Sequence, residues 1–158
     1  MSESFRITYS LVATGWSKCI VESSDAHVEL SASYLSDALG NLVLSGIAAA
    51  SNFHSVEFGF DEEPGEYRWS VSSAENNAVR LRIFEFHELW GNKPTDSGRL
   101  LFEAVLTPLA YARAVYACAA AVLEEHGSNA YLEKWVEHPF PAQALELLAA
   151  AISCRHDA

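Results

Sequence analysis

The stretch VEFGFDEEPGEYRWSVSSAENNAVRLRIFEF, residues 56–86, decides the fold class. Large apolar residues recur at every second position in three segments, which are separated by the turn sequences Pro64-Gly65 and 75–77. Alternation with a period of two is typical of strands that bury one face. The stretch therefore predicts an antiparallel meander, which we extend to residues 55–105.

The two turns predict the register of these strands. A two-residue turn centred on Pro64-Gly65 places Phe60 opposite Trp69. A three-residue turn at 75–77 places Trp69 opposite Ile83, and an Asn at the end of that turn tolerates left-handed backbone geometry. With these registers, one sheet face collects the large apolar side chains and should be buried. Its members are Phe58, Phe60, Trp69, Val71, Leu81 and Ile83.

Periodic segments on both sides of the meander complete an α+β pattern, because helices are segregated from antiparallel strands. Further strands are predicted at 5–13, 16–21, 26–32 and 100–106, and helices at 34–50, 108–126, 128–135 and 142–153. Ser33 or Ser36 can cap the first helix. We therefore expect an antiparallel sheet, made of an N-terminal hairpin and the central meander, packed by one inserted helix and by C-terminal helices. Neither a repeat nor a linker divides residues 1–158, which predicts a single domain.

The net charge of −11 comes from 10 Lys and Arg against 21 Asp and Glu. This charge disfavours nucleic acid as a partner and favours a basic protein. The N-terminal segment lacks the pattern of a signal peptide, and no apolar run is long enough to span a bilayer, so we expect a cytoplasmic protein that is not associated with a membrane. Cys19, Cys118 and Cys154 are far apart and odd in number, which predicts buried thiols in a reducing compartment.

The densest charge cluster is DEEPGE at residues 61–66, at the predicted hairpin tip. It lacks the alternating acids and distal Glu of a calcium loop, and a metal site needs carboxylates from more than one segment. Asp61, Glu62, Glu63 and Glu66 therefore form either a solvated turn or an acidic tip that contacts a partner. We expect no metal site here.

Glu85, His87 and Glu88 could act as an acid–base set or as ligands, but no second His has a spacing that would join them. Arg80 and Arg82, together with Arg68, could bind an anion on the outer sheet face. The alternative is pairing across strands with the carboxylates of Glu57, Asp61 and Glu85. Glu85, His87, Arg80 and Arg82 are thus weak pocket candidates.

No sequence motif for a nucleophile elbow, a zinc protease, a P-loop or a dinucleotide-binding loop is present. The sequence therefore predicts neither catalytic residues nor a cofactor. Trp90 is the remaining candidate, because the segment 88–91 reads as a loop and a large aromatic is costly to expose. It either folds back as a lid on the core or marks a binding surface.

Three segments, SYLSDALGNLV at 33–43, EPGEYRW at 63–69 and YLEKWVEHPFP at 131–141, resemble an uncharacterised family of small acidic bacterial proteins. The resemblance covers most of the chain and implies a bacterial protein. The family has no established catalytic residues that could be transferred to this sequence. In size, charge and fold class the chain also resembles bacterial toxin-immunity proteins.

Two hypotheses about function follow. The first is a non-enzymatic binding protein that recognises a basic partner through its acidic surface, as an immunity-type or accessory protein would. The second is a small-ligand-binding protein or enzyme with a pocket between the sheet and the helices, which requires converging polar groups in an apolar cleft. The sequence favours the first, while leaving the partner and the oligomeric state open.

Overall fold

A computed structural model describes residues 4–156 and contains, within them, two antiparallel sheets and three helices. The elements follow the chain as β1 Arg6–Ala13, β2 Trp16–Glu22, β3 His27–Ser33, α1 Ala38–Ala50, β4 Ser55–Asp61, β5 Glu66–Ala74, β6 Ala78–Phe86, β7 Arg99–Leu106, α2 Pro108–Trp135 and α3 Ala142–His156. The predicted α+β class is confirmed. The strands form two sheets, with the orders β1-β2-β3 and β4-β5-β6-β7, so the prediction that the N-terminal strands and the meander form one sheet is wrong; α1 lies between β3 and β4 in the chain, and these two strands do not pair.

The hairpin between β4 and β5 differs from the prediction by two residues. Phe60 lies opposite Tyr67, and Phe58, instead of Phe60, lies opposite Trp69. The reason is that the backbone N–H of Glu62 donates to the carbonyl of Gly65 (2.8 Å), so the turn is a four-residue loop at 62–65. A shift of two residues leaves every side chain on its predicted face.

The predicted buried face is present. Phe60, Trp69, Val71, Leu81 and Ile83 are all buried, while Phe58 is half-buried and stacks on the Trp69 ring at 5.3 Å between centroids. The register of β5 on β6 also agrees with the prediction, since Trp69 lies opposite Ile83.

The turn between β5 and β6 and the start of α1 show how local residues set the elements. Asn76 and Asn77 both adopt positive φ, of 60° and 57°, in the three-residue turn. Asp37 caps α1 by accepting the backbone N–H of Gly40 at 3.1 Å, so neither predicted serine cap is used. Ser36 instead accepts the backbone N–H of Asp61 at 3.1 Å and ties the start of α1 to β4.

The three helices cover the inner faces of the sheets and share one hydrophobic core with them. Gly46 permits close packing there, because a Cβ atom at this position would come within 3.1 Å of Val115 in α2 and 3.2 Å of Leu148 in α3. Thr107 caps α2 as the sequence predicts, and Gly127, with φ of 73°, divides α2 into the two predicted helical segments. None of the helices in the described residues is long and apolar enough to cross a membrane.

The three cysteines carry free thiols, and only two of them lie where the sequence places them. Cys19 and Cys118 are buried, as predicted. Cys154 is exposed near the end of α3, so the prediction of a buried thiol is wrong for this residue. Its position on a terminal turn, beyond the last core-facing leucine, accounts for the difference.

Candidate protein-binding surface

The face of the four-stranded sheet that points away from the core is here called the outer sheet face. It collects the polar positions of the alternating pattern, yet it also includes Phe84 and Phe86, which are only 5% and 7% exposed. These two rings are buried because residues 87–98, here called the cover loop, cross the face above them. Gly98 makes the crossing possible, since a Cβ atom there would come within 2.7 Å of the Phe86 ring.

Arg68 fastens the cover loop to the sheet. Its Nη1 donates to the carbonyl of Lys93 (2.6 Å), its Nη2 pairs with the Glu66 carboxylate, and its guanidinium carbon lies 4.3 Å from the Phe86 ring centroid. The Thr95 hydroxyl adds a second anchor by donating to Glu57 at 2.6 Å. Arg68 is therefore engaged in holding the loop.

The cover loop is also joined to the hairpin tip. The backbone N–H of Leu89 donates to the carbonyl of Pro64 at 2.9 Å, and the next side chain, Trp90, hydrogen-bonds with the Asp61 carboxylate. Two segments that are separate in sequence thus meet at one edge of the outer sheet face. We call this surface the acidic corner, formed by Asp61, Glu62, Glu63 and Trp90.

Trp90 points out of the molecule. Its residue surface is 72% exposed, so the hypothesis that it folds back as a lid on the core is wrong. The cover loop does cover the sheet, but Phe84 and Phe86 fill the space beneath it. Trp90 also has a φ of 55°, a region that costs a residue with a bulky side chain of the order of 1–3 kcal/mol and persists only when the surroundings impose it. Two hydrogen bonds hold the chain on either side of Trp90 and supply that constraint. One runs from the Leu89 N–H to the Pro64 carbonyl, and the other from Arg68 to the Lys93 carbonyl.

Glu66 does not belong to the solvent-exposed tip that the sequence predicts. It is buried at 9% exposure and pairs with Arg68. Asp61 lies directly opposite Glu66 across the two strands. Burial raises the pKa of the Asp61 carboxyl, the Glu66 carboxylate raises it further, and the hydrogen bond from Trp90 partly offsets both effects. None of the ion pairs in the described part of the chain includes Asp61.

The weak pocket candidates do not converge. Glu85 pairs with Arg99 at 3.0 Å on the inner side of the sheet, and His87 is exposed beyond the end of β6. Arg80 is exposed, whereas the Arg82 guanidinium lies 5.6 Å from the Phe84 ring centroid. Arg80 and Arg82 lie on the outer face of the sheet, whereas Glu85 lies on the opposite face.

The predicted cross-strand pairs of Arg68, Arg80 and Arg82 with Glu57, Asp61 and Glu85 are not among the ion pairs of the described residues. Arg68 pairs with Glu66 on its own strand, and Glu85 pairs with Arg99 of β7. Glu57 accepts a hydrogen bond from the Thr95 hydroxyl of the cover loop instead of pairing with an arginine. Among residues 4–156, no three His, Cys, Asp or Glu side chains come close enough to hold a metal ion.

An open groove of about 430 Å³ runs beside Trp90 on the outer sheet face. It is lined by Glu57, Phe58, Gly59, Glu66, Arg68, Trp90, Asn92 and Lys93. Sequence reasoning missed the contribution of Asn92 and Lys93, and it assigned Arg68 to anion binding or to cross-strand pairing instead of to the ion pair with Glu66. The spacing of Glu66 and Arg68, two apart on one strand, is a signal that could have identified their ion pair.

A second groove, of about 630 Å³, lies between β1 and α2. It is lined by residues 5–9, at the start of β1, and by four alanines, Arg113 and Cys118 of α2. Its position, between a sheet and a helix, is the one that the ligand-binding hypothesis expects. Its lining offers few converging polar groups.

Comparison of the chain with family models, with curated proteins and with solved structures finds no match.

Proposed function

We propose that this chain is a non-enzymatic protein-binding module that recognises a basic partner through the acidic corner. The observation that carries the proposal is the position of Trp90, which is 72% exposed on a loop that is fastened at both sides. An exposed tryptophan held in one place binds a partner at a low cost in conformational entropy. Such residues are frequent hot spots, whose truncation costs about 2 kcal/mol or more of binding free energy.

The charges around Trp90 support a basic partner. Glu63 is exposed, Glu62 and Asp61 are half-exposed, and the whole chain carries a net charge of −11. Charges at the rim of an interface act mainly on the rate of association, which they raise by long-range attraction. A partner with a basic surface would therefore be steered towards the corner.

The class of partner follows the same reasoning. Resemblance to toxin-immunity proteins, together with this charge, favours a basic toxin that the chain neutralises, or a basic enzyme to which it is an accessory subunit. A bacterial origin and a cytoplasmic location belong to this proposal, and cell fractionation of the source organism would test the location.

The test begins with capture of the partner from source cells after chemical cross-linking. The bait is the wild-type chain, and two variants are compared with it: Trp90→Ala, and Leu147→Ala as a matched control. Leu147 is 57% exposed on α3, so its truncation removes a similar kind of apolar surface elsewhere. We expect a basic protein to be recovered with the wild type and the control but not with Trp90→Ala. Equal recovery with all three baits would overturn the proposal.

Kinetics with the purified partner then test the charges. The variant Glu62→Gln/Glu63→Gln is compared with Glu124→Gln/Glu133→Gln, which changes the net charge equally at exposed positions of α2. We expect the tip variant alone to associate several-fold more slowly at low salt, with little difference at high salt. If both variants slow association equally, the acidic tip acts only through the net charge of the chain and has no specific role.

The groove between β1 and α2 supports a second candidate, a small-ligand-binding function. Its volume of about 630 Å³ falls within the range of ligand pockets. An apolar small molecule that copurifies with the protein in native mass spectrometry, and is lost in an Ala114→Trp variant, would favour this candidate.

A further inference from the structure

The acidic corner contains a carboxylate, that of Asp61, which belongs to none of the ion pairs formed within residues 4–156. Asp61 and Glu66 are directly opposite each other on neighbouring strands, a placement that is unfavourable for two like charges. Arg68 compensates Glu66, whereas the described partners of Asp61 are the Trp90 side chain and the repelling Glu66 carboxylate. A cation that reached Asp61 would relieve this repulsion, so the corner is incomplete in charge.

The aromatic ring beside Asp61 narrows the chemistry of that cation. Tryptophan is the side chain whose face attracts cations most strongly, and the Trp90 ring is open to solvent. In the described residues, Asp61 belongs to no group of three His, Cys, Asp or Glu side chains that could hold a metal ion, so a metal ion is not the natural occupant. An organic cation, which can lie flat on a ring, suits the site.

The same outer sheet face already contains such an arrangement within the fold. The Arg68 guanidinium lies 4.3 Å from the Phe86 ring centroid and pairs with the Glu66 carboxylate. Trp90 and Asp61 repeat the aromatic ring and the carboxylate, but without the arginine. The geometry points to an arginine side chain of the partner that stacks on Trp90 and donates to Asp61, an inference that rests on the proposed function.

Arginine suits the corner better than lysine. A planar guanidinium can stack on an indole and present paired N–H groups to a carboxylate, whereas an ammonium is a compact, strongly hydrated charge. The groove of about 430 Å³ beside Trp90 has room for the aliphatic part of the side chain. Two cations already line that groove, but Arg68 pairs with Glu66, and Lys93 lies 3.9 Å from the Glu88 carboxylate.

Small probes test this inference without the partner. The amides of Nα-acetyl-arginine, Nα-acetyl-lysine and Nα-acetyl-citrulline are titrated into the isotopically labelled chain, and the indole N–H resonance of Trp90 is followed by NMR. We expect the arginine probe to shift this resonance in a saturable way, and to bind about fivefold more tightly than the lysine probe. Citrulline, which keeps the shape but lacks the charge, should not bind. Stacking should also move the δ-methylene protons of the arginine probe upfield.

Two variants separate the local site from the overall charge. Asp61→Asn should weaken arginine binding about tenfold, whereas Asp96→Asn, the same change at an exposed position of the cover loop, should leave it within twofold. Trp90→Leu should abolish the upfield shift of the δ-methylene protons. The amide spectrum of each variant reports whether the fold is intact.

The outcomes distinguish this inference from the proposed function. The inference is overturned if the arginine probe does not move the Trp90 resonance, if lysine binds as tightly as arginine, or if Asp96→Asn weakens binding as much as Asp61→Asn. The proposed function would survive such a result, provided that capture of the partner still depends on Trp90. Its own failure is equal capture by the wild type, Trp90→Ala and Leu147→Ala.

Discussion

Replacing Arg68 with methionine should destabilise the protein by about 3 kcal/mol. The substitution keeps an unbranched apolar side chain over Phe86 but removes the ion pair with Glu66 and the hydrogen bond to the Lys93 carbonyl. Removing one partner of a buried ion pair costs about 3–5 kcal/mol, because the remaining charge is left without compensation. The Arg68 and Glu66 side chains are 17% and 11% exposed, so the residual solvent contact places the expected cost at the lower end of that range.

Urea unfolding followed by tryptophan fluorescence measures this cost, and the melting temperature should fall by roughly 6–12 °C. The control is Arg80→Met, an exposed arginine on the same outer sheet face, which should cost less than about 0.5 kcal/mol. Glu66→Gln should also destabilise the protein, and the double variant should lose less than the sum of the two single variants. The cover loop should open more often in Arg68→Met, so the Leu89 amide should exchange faster with solvent.

A result in which Arg68→Met and Arg80→Met are equally mild would refute the reasoning. So would additive single variants, since additivity would mean that Arg68 and Glu66 do not stabilise each other. Either outcome would leave the position of the cover loop unexplained by its contacts with Arg68.

Three further predictions concern packing, exposure and alkaline pH. Gly98→Ala should cost about 1–3 kcal/mol in urea unfolding because its Cβ would press on the Phe86 ring, whereas Gly91→Ala, with no neighbouring atom closer than 3.8 Å, should cost less than about 0.5 kcal/mol; equal costs would contradict the close approach. Trp90→Ala should change the free energy of unfolding by less than about 0.5 kcal/mol and remove most of the fluorescence that acrylamide quenches, so a larger destabilisation would mean that the indole is packed. Burial and the Glu62 carboxylate raise the pKa of Tyr67 to about 12, so the unfolded chain releases this proton first; stability should be fully present below pH 10 and fall as the pH rises through 12, and Tyr67→Phe should lessen that fall.

The buried face of the four-stranded sheet could be predicted from sequence because alternation is a local property. Phe60, Trp69 and Ile83 lie on one face whichever of two registers is used, since a shift of two residues preserves the faces. The same invariance explains why the register of the first hairpin could not be fixed from the pattern. The hydrogen bond from the Glu62 N–H to the Gly65 carbonyl sets the register, whereas the sequence of the turn is compatible with either loop length.

The residues of the acidic corner could be predicted from the sequence, but their contact could not. The acids at 61–63 and Trp90 could be singled out as unusual, but their contact depends on the course of the cover loop. That course is set by contacts of Arg68 with Lys93 and Glu66, which no local pattern reports. The assignment of Glu66 to the solvated tip failed for the same reason.

The contacts that hold the cover loop in place do not involve its exposed side chains. The positions that hold it use a backbone carbonyl at Lys93, a backbone N–H at Leu89 and the missing side chain of Gly98. None of these contacts uses a side chain at residues 90–92, which are exposed, although Trp90 and Asn92 have φ of 55° and 52°, so replacements there must tolerate positive φ. Within that limit, the exposed side chains of the loop could change at little cost to the stability of the fold. Under the proposed function, such a loop would let recognition of a partner change during evolution while the scaffold stays the same.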